Sequence, residues 1–189
     1  MKGMRDFAQD SDDDLLRQTT AGDEQAFTAL YRRHQASVYR FALHMSGSVD
    51  AAEEVTQEVF MFLIRGAKQY DAKRGSLAGF LYGVARNHVL RRMQRDRVYC
   101  DPPDDEAHGV DDDTFGGIVR SQRIDCLRKA LLALPEHYRE VVVLCELEEI
   151  DYAGAAEALG IPIGTIRSRL NRARAMLAER LRANERCPA

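Results

Sequence analysis

The chain of 189 residues has few cysteines, and none is placed for chemistry: Cys100, Cys126, Cys145 and Cys187 are scattered, without a C-x-x-C pair or a Cys/His cluster. That argues against a zinc site and against a disulfide framework. No stretch approaches the roughly 18 consecutive apolar residues of a membrane span, and the acidic N-terminus has no basic segment leading into an apolar run. No membrane insertion is expected, and the cytoplasm is the expected location. A phosphate-binding loop, a catalytic dyad and a metal constellation are all missing, so neither enzyme activity, a cofactor nor a metal is expected. What remains is a chain 45% hydrophobic and 30% charged, able to bury one moderate core or two small ones.

The most informative stretch runs from Asp151 to Leu181. Ile166, Leu170, Ala173, Leu177 and Leu181 recur at four, three, four and four, which predicts an amphipathic helix. Its other side carries Arg167, Ser168, Asn171 and Arg172, with Arg174 close by. Between Ile161 and Arg182 six Arg face one acid, Glu179, a net of +5 in a chain whose total is -3. Such a surface suits phosphates. Before it, Asp151 can cap a short helix, Gly160 can end it with a positive φ, and Pro162 suits the first turn of the next. Short helix, glycine turn and polar second helix make a helix-turn-helix plan, in which Arg and Asn read base edges in the major groove.

The rest of the chain is helical by periodicity. Residues 1–24 carry seven acids against three bases and form a lead-in with a short helix around Asp14 to Thr20. From Asp23, the positions Phe27, Leu30, Tyr31, His34, Val38, Phe41, Ala42 and Met45 predict a long helix ending near Gly47, with His34 as a packed core histidine. Ser48 or Asp50 then caps a helix through Ile64, buried on Ala52, Val55, Val59, Phe62 and Leu63. Its outer side shows Glu53, Glu54, Gln57 and Glu58, either a solvated face or a docking surface for a basic partner. After the loop Gly66 to Gly75, Ser76 caps a helix to about Arg97, weakened slightly by Gly79 and Gly83. Leu81, Tyr82, Ala85, Val89 and Met93 mark its inner side. Phe80, Asn87 and Arg91 share the opposite side, and from Arg86 to Arg97 five Arg face one acid, Asp96. An aromatic and an amide on a cationic helix fit capture of unpaired bases, while Phe80 can equally pack in the core.

Between Asp101 and Asp113 lie seven acids and no Lys or Arg, the composition of a self-repelling tether. Ile124, Leu127, Leu131 and Leu134 open the next helical stripe. Pro135 starts a helix with Tyr138, Val141, Val142 and Cys145, and its helical neighbours argue against a strand at Val141 to Leu144. The expected fold class is therefore all-α: two small helical domains joined by a flexible acidic linker, the C-terminal one containing a helix-turn-helix. The boundaries read as lead-in 1–24, first domain 25–97, linker 98–119 and second domain 120–184.

Three stretches in this order resemble the bacterial sigma factors, specifically the small extracytoplasmic-function (ECF, group IV) type. DAAEEVTQEVFMFL at Asp50 is similar to the helix that docks on the β′ clamp helices of core RNA polymerase. SLAGFLYGVARNHVLRRMQR at Ser76 resembles the helix that melts and reads the minus-ten element. The stretch from Ala133 through Leu177, ending in the helix-turn-helix, resembles the domain that reads the minus-thirty-five element and meets the β flap. The resemblance implies core docking through Glu53, Glu54, Gln57 and Glu58, and minus-ten recognition through Phe80, Arg86, Asn87, Arg91, Arg92 and Arg95. It further implies minus-thirty-five recognition through Arg167, Ser168, Asn171, Arg172 and Arg174. Phe80 stands where the family commonly has tryptophan, Arg91 where it commonly has an acid or amide, and Ala153-Gly154 replaces its usual acidic pair. Implied partners are core RNA polymerase, promoter DNA and an anti-sigma protein, in a stress or envelope response. The alternative is a stand-alone helix-turn-helix regulator.

Overall fold

The computed structural model describes residue 7 and residues 9–73, 75–99 and 115–185. Eight α-helices run in chain order: α1 Asp12–Thr20, α2 Glu24–Ser46, α3 Val49–Gly66, α4 Leu77–Tyr99, α5 Phe115–Leu132, α6 Glu136–Val142, α7 Tyr152–Leu159 and α8 Ile163–Glu185. Among the described residues there is no strand. The helix limits follow from local chemistry. Ser11, Asp23, Ser48 and Asp151 each accept a backbone N–H of the first turn of α1, α2, α3 and α7, satisfying donors that a helix start leaves unpaired. Gly47 and Gly160 close α2 and α7 with φ of 75° and 65°, a backbone state that costs glycine nothing.

The first four helices pack around Leu30, Phe41, Val59, Leu63, Leu81 and Val89, all fully or almost fully buried. Helix α1 lies across α2, held by Asp12, which accepts from Arg33 at 2.6 Å and meets Nε2 of His34 at 2.8 Å. His34 is thus a core histidine with a carboxylate partner. The hydrogen bond from His34 lowers the Asp12 pKa below its ordinary value. In the C-terminal half, Val141, Val143 and Leu144 meet Ile166, Leu170 and Ala173 of α8 in the same continuous core as the first four helices.

Two features depart from the sequence reading. The stripe expected on α5 is buried only at its end: Leu131 and Leu134 are 5% and 2% exposed, whereas Ile124 and Leu127 are 43% and 44% exposed. The final turns of α5 are the part wedged against the rest, with Leu132 seated over Gly47. The helix begins at Phe115, inside the span read as tether; the acidic run 101–113 lies outside the described residues. The second departure follows Val142, where α6 widens into a π turn over Val143–Leu147. The N–H of Glu148 donates to the carbonyl of Val143 at 2.9 Å, and that of Ile150 to Leu144 at 2.9 Å. The region is helical, as its neighbours suggested, but with one wide turn that no local propensity specifies.

Contacts between the halves are close. Helix α7 lies on α4, where a Cβ added at Gly83 would meet the carbonyl oxygen of Ala158 at 3.2 Å. Gly83, which only weakens α4 as an isolated helix, is therefore what lets another backbone approach it, while Gly79 leaves room for the Glu157 side chain. Arg139, 6% exposed, reaches the carbonyl oxygens of Met45, Leu132 and Leu134, tying the end of α2 to the end of α5.

Candidate nucleic-acid interface

Helix α8 turns Ile166, Leu170 and Ala173 into the core, and its 3.6-residue period brings Arg167, Ser168, Asn171, Arg172 and Arg174 to the surface, all exposed. The guanidinium of Arg167 lies 5.9 Å from the centre of the Tyr152 ring on α7, a cation–π contact that orients it. The Ser168 hydroxyl donates to the carbonyl of Thr165 at 3.1 Å. Arg174 is paired with Glu146, its Nε at 3.1 Å, so it is screened while Arg167, Asn171 and Arg172 face solvent. The row thus offers solvent the guanidinium groups of Arg167 and Arg172 and the Asn171 amide, with Arg174 held by Glu146.

On α4, Asn87, Arg91 and Arg95 are exposed. Phe80 packs against neighbouring rings without being fully buried. It is half-buried, with ring centres 6.2 Å from Phe62 and 5.6 Å from Tyr70, and it keeps part of its face open. Tyr70 belongs to the loop between α3 and α4, and its hydroxyl is positioned for Asp13 at 2.7 Å and the carbonyl of Gly75 at 3.1 Å. Burial raises its pKa, so the phenol remains a donor that ties the loop to α1.

Three cations of α4 approach acids of the same chain. Arg86 donates to Glu140 at 2.6 Å. Arg92 pairs with Glu54, and Arg95 lies 3.8 Å from the same carboxylate. Glu54 thus belongs both to the acidic side of α3 and to the cationic side of α4, whereas Glu53, Gln57 and Glu58 are exposed along α3.

Beside these acids lies a feature the sequence reading missed. Helices α2 and α3 leave a groove of about 730 Å³ between them, lined by Tyr31, Tyr39, Phe60, Met61 and Ile64, with Glu53 and Gln57 on its wall. Met61 and Ile64 are 37% and 53% exposed. Tyr31, read from sequence as part of the buried side, is 36% exposed and stacks edgewise on Phe60 at 4.7 Å. The signal was present: Gln57, Met61 and Ile64, spaced four and three, put two apolar residues in line with the acidic face. The strip is apolar and its edge carries one charge of each sign, Glu53 and Arg40, a surface suited to an amphipathic helix.

Among the described residues no group of three His, Cys, Asp or Glu is placed to hold a metal, and no helix is long and apolar enough to cross a membrane.

Comparison with known proteins matches these surfaces in order. Residues 30–98 match the model of sigma-70 region 2 and residues 124–177 that of sigma-70 region 4. The chain is similar to the ECF RNA polymerase sigma factor SigE of Mycolicibacterium smegmatis, 34% identical over 85% of this chain and 64% of that protein, so it spans just under two thirds of that relative's length. It is 32% identical to the ECF RNA polymerase sigma factor SigM of Mycobacterium tuberculosis over 90% of this chain and 85% of SigM. Among solved structures, CnrH in complex with the cytosolic domain of CnrY shares the fold, with a TM-score of 0.71 at 23% identity over 92% of this chain and 99% of CnrH. The sigma factor RpoE of Bartonella quintana, bound to the anti-sigma factor NepR, aligns with a TM-score of 0.68 at 26% identity over 82% of this chain and 96% of RpoE.

Proposed function

This chain belongs to the family of ECF RNA polymerase sigma factors, and on that premise we propose that it binds core RNA polymerase in the cytoplasm and directs it to promoters carrying two elements. The observation that carries this reading is the presence, in one chain, of two separate cationic helix faces and a third, apolar and acidic, face. Helix α8 presents Arg167, Ser168, Asn171, Arg172 and Arg174 to the upstream element. Helix α4 presents Phe80, Asn87, Arg91, Arg92 and Arg95, with Arg86 nearer the C-terminal half, to the minus-ten strand. Glu53, Glu54, Gln57 and Glu58, extended by the Tyr31, Met61 and Ile64 groove, form the docking face for the polymerase clamp.

Each part supplies a distinct term. Docking on core holds the chain at the polymerase and leaves α4 and α8 to divide promoter recognition. An unpaired base caught beside Phe80 and Asn87 shifts the melting equilibrium toward open DNA, because stacking and edge hydrogen bonds are available only to the flipped base. No bond is made or broken by the chain itself. Sharing recognition between two helices raises the effective concentration of each at its element, so neither needs high affinity alone. A separate anti-sigma protein, like the partner of the Bartonella relative, is the expected regulator of availability.

The test is promoter-directed transcription with purified chain, core RNA polymerase and a two-element promoter. Specific initiation that needs both elements and core is expected. Folded chain that binds an operator equally well without core, and never supports initiation, would overturn the reading in favour of a stand-alone regulator.

A further inference from the structure

Helix α1 is tied to two neighbours by consecutive acids. Leu15 and Leu16, 0% and 5% exposed, seat it in the core. Asp12 joins it to α2 through Arg33 and His34 at 2.6 and 2.8 Å. Asp13, one residue on and so turned by about 100° around the helix axis, accepts from the Tyr70 hydroxyl at 2.7 Å, across 57 residues of sequence. The first turn of α1 therefore bridges α2 and the loop that precedes α4.

In that loop Asp71, Ala72 and Lys73 are exposed, and the Asp71 carboxylate accepts from the N–H of Lys73 at 3.0 Å, a bond internal to the loop. Tyr70 reaches outward from it in two directions. Its ring packs on Phe80 of α4, with centres 5.6 Å apart and planes 60° apart. Its hydroxyl has a single proton, which goes to the closer acceptor, Asp13, with the Gly75 carbonyl oxygen beside it at 3.1 Å. Burial first and the Asp13 carboxylate second raise the Tyr70 pKa, so the group stays a donor. The other ring against Phe80 is Phe62, 6.2 Å away and carried by α3 itself. One wall of Phe80 is thus set by helix packing, and the other by a hydrogen bond to α1.

We propose that α1 is a positioning element for the minus-ten face: Asp13, acting through the Tyr70 hydroxyl, sets the ring on which Phe80 packs and so sets how an unpaired base is received beside Phe80 and Asn87. The proposal rests on the assignment of α4 to the minus-ten strand. Asp13 itself touches no base in this scheme. It restricts the Tyr70 ring to one placement, and stacking on an aromatic face is sensitive to displacements well below the size of a ring. Phosphate contacts from the exposed Arg91 and Arg95 do not pass through Tyr70, so the bases and the phosphates of the strand respond differently to its loss.

The experiment uses the chain assembled with core RNA polymerase and a promoter fragment whose minus-ten strand is left unpaired, either intact or abasic at the unpaired positions. The ratio of the two affinities isolates the contribution of the bases from that of the phosphates. Asp13→Ala, Tyr70→Phe and the double variant are compared with the unsubstituted chain. Each single substitution is expected to lower the ratio about fivefold, as loss of one hydrogen bond of modest net strength does. The double variant should fall no further than either, because both substitutions cut the same bond. Tyr70→Phe keeps the ring and Asp13 is exposed, so unfolding midpoints should stay close to that of the unsubstituted chain. A ratio unchanged in either single variant, whether or not overall affinity drops, would overturn the proposal. So would losses that multiply in the double variant. An unsubstituted assembly with no preference for the intact strand would instead remove the assignment of α4, and this inference with it.

Discussion

At the scale of single residues, electrostatic context divides the cations into exposed and engaged ones. Arg167, steadied over Tyr152 and facing solvent, is the residue on which the proposed direct readout is best tested. Arg167→Ala is expected to cost about 1 to 3 kcal/mol at one upstream base pair and little at the others, measured with a panel of single-base promoter variants. Equal loss on every variant would make it a phosphate contact. Glu54 is a different case, because it neutralises Arg92 and approaches Arg95. Glu54→Arg should weaken core binding and also repel those two cations, so loss of core affinity accompanied by altered minus-ten strand binding is the expected signature. Unchanged core affinity would remove Glu54 from the docking face. His44 gives a pH dependence. Burial is the largest cause of its lowered pKa, outweighing nearby Glu148, and burial likewise lowers that of His88. Below the unfolded value of about 6.5 the unfolded chain binds these protons more readily, so stability falls as pH drops through that window and is complete above it. His44→Gln should flatten part of that slope in urea titrations from pH 7.5 to 5; an unaltered slope would exclude it.

At the scale of helices, much of the architecture was legible because caps and periodicity are local. Ser48, Asp23 and Asp151 announce their helices, Gly47 and Gly160 end them, and the stripe Ile166, Leu170 and Ala173 separates the inside of α8 from its arginine face. The groove between α2 and α3 was harder to see, since which side of Tyr31 meets solvent depends on where Phe60 of another helix lies. Ile64, 53% exposed, allows the docking face to be tested without harming the core. Ile64→Asp is expected to leave the melting temperature nearly unchanged and to weaken core polymerase binding at least about tenfold, as loss of a central apolar anchor does. Full retention of core affinity would assign docking to the acids alone.

At the scale of the whole molecule, the halves share one core, and this was not legible. Nothing in the local pattern says that Glu140 will meet Arg86 of α4, 54 residues earlier, or that Arg139 will reach the carbonyl of Met45, 94 residues away. These are long-range pairings, and their sequence trace is only an unexceptional E and R within a helical stripe. The candidate DNA residues were legible as surface chemistry, but the engagement of Arg86, Arg92 and Arg174 with acids of the same chain was not. Arg139→Ala would strip partners from three carbonyl groups, each costing about 1 to 3 kcal/mol if left buried and unpaired. It should lower the chain's unfolding midpoint and loosen the α2 and α5 ends together, as hydrogen exchange at both sites would show. Loss of protection at only one end would separate the two halves energetically.

The wide turn at Val143–Leu147 has a consequence for rotational register. One residue in an α-helix corresponds to about 100° of rotation, and the π turn accommodates one more residue than an ordinary turn would. Were the same residues to close as ordinary α-helix, the chain after the turn would be rotated by about 100° and Glu148 would swing away from Arg40 and Tyr82, with the hydrophobic content of the segment unchanged. The angular setting of a single loose turn, rather than any particular apolar side chain, thus decides whether this acid is aimed inward at the opposite half or outward into water.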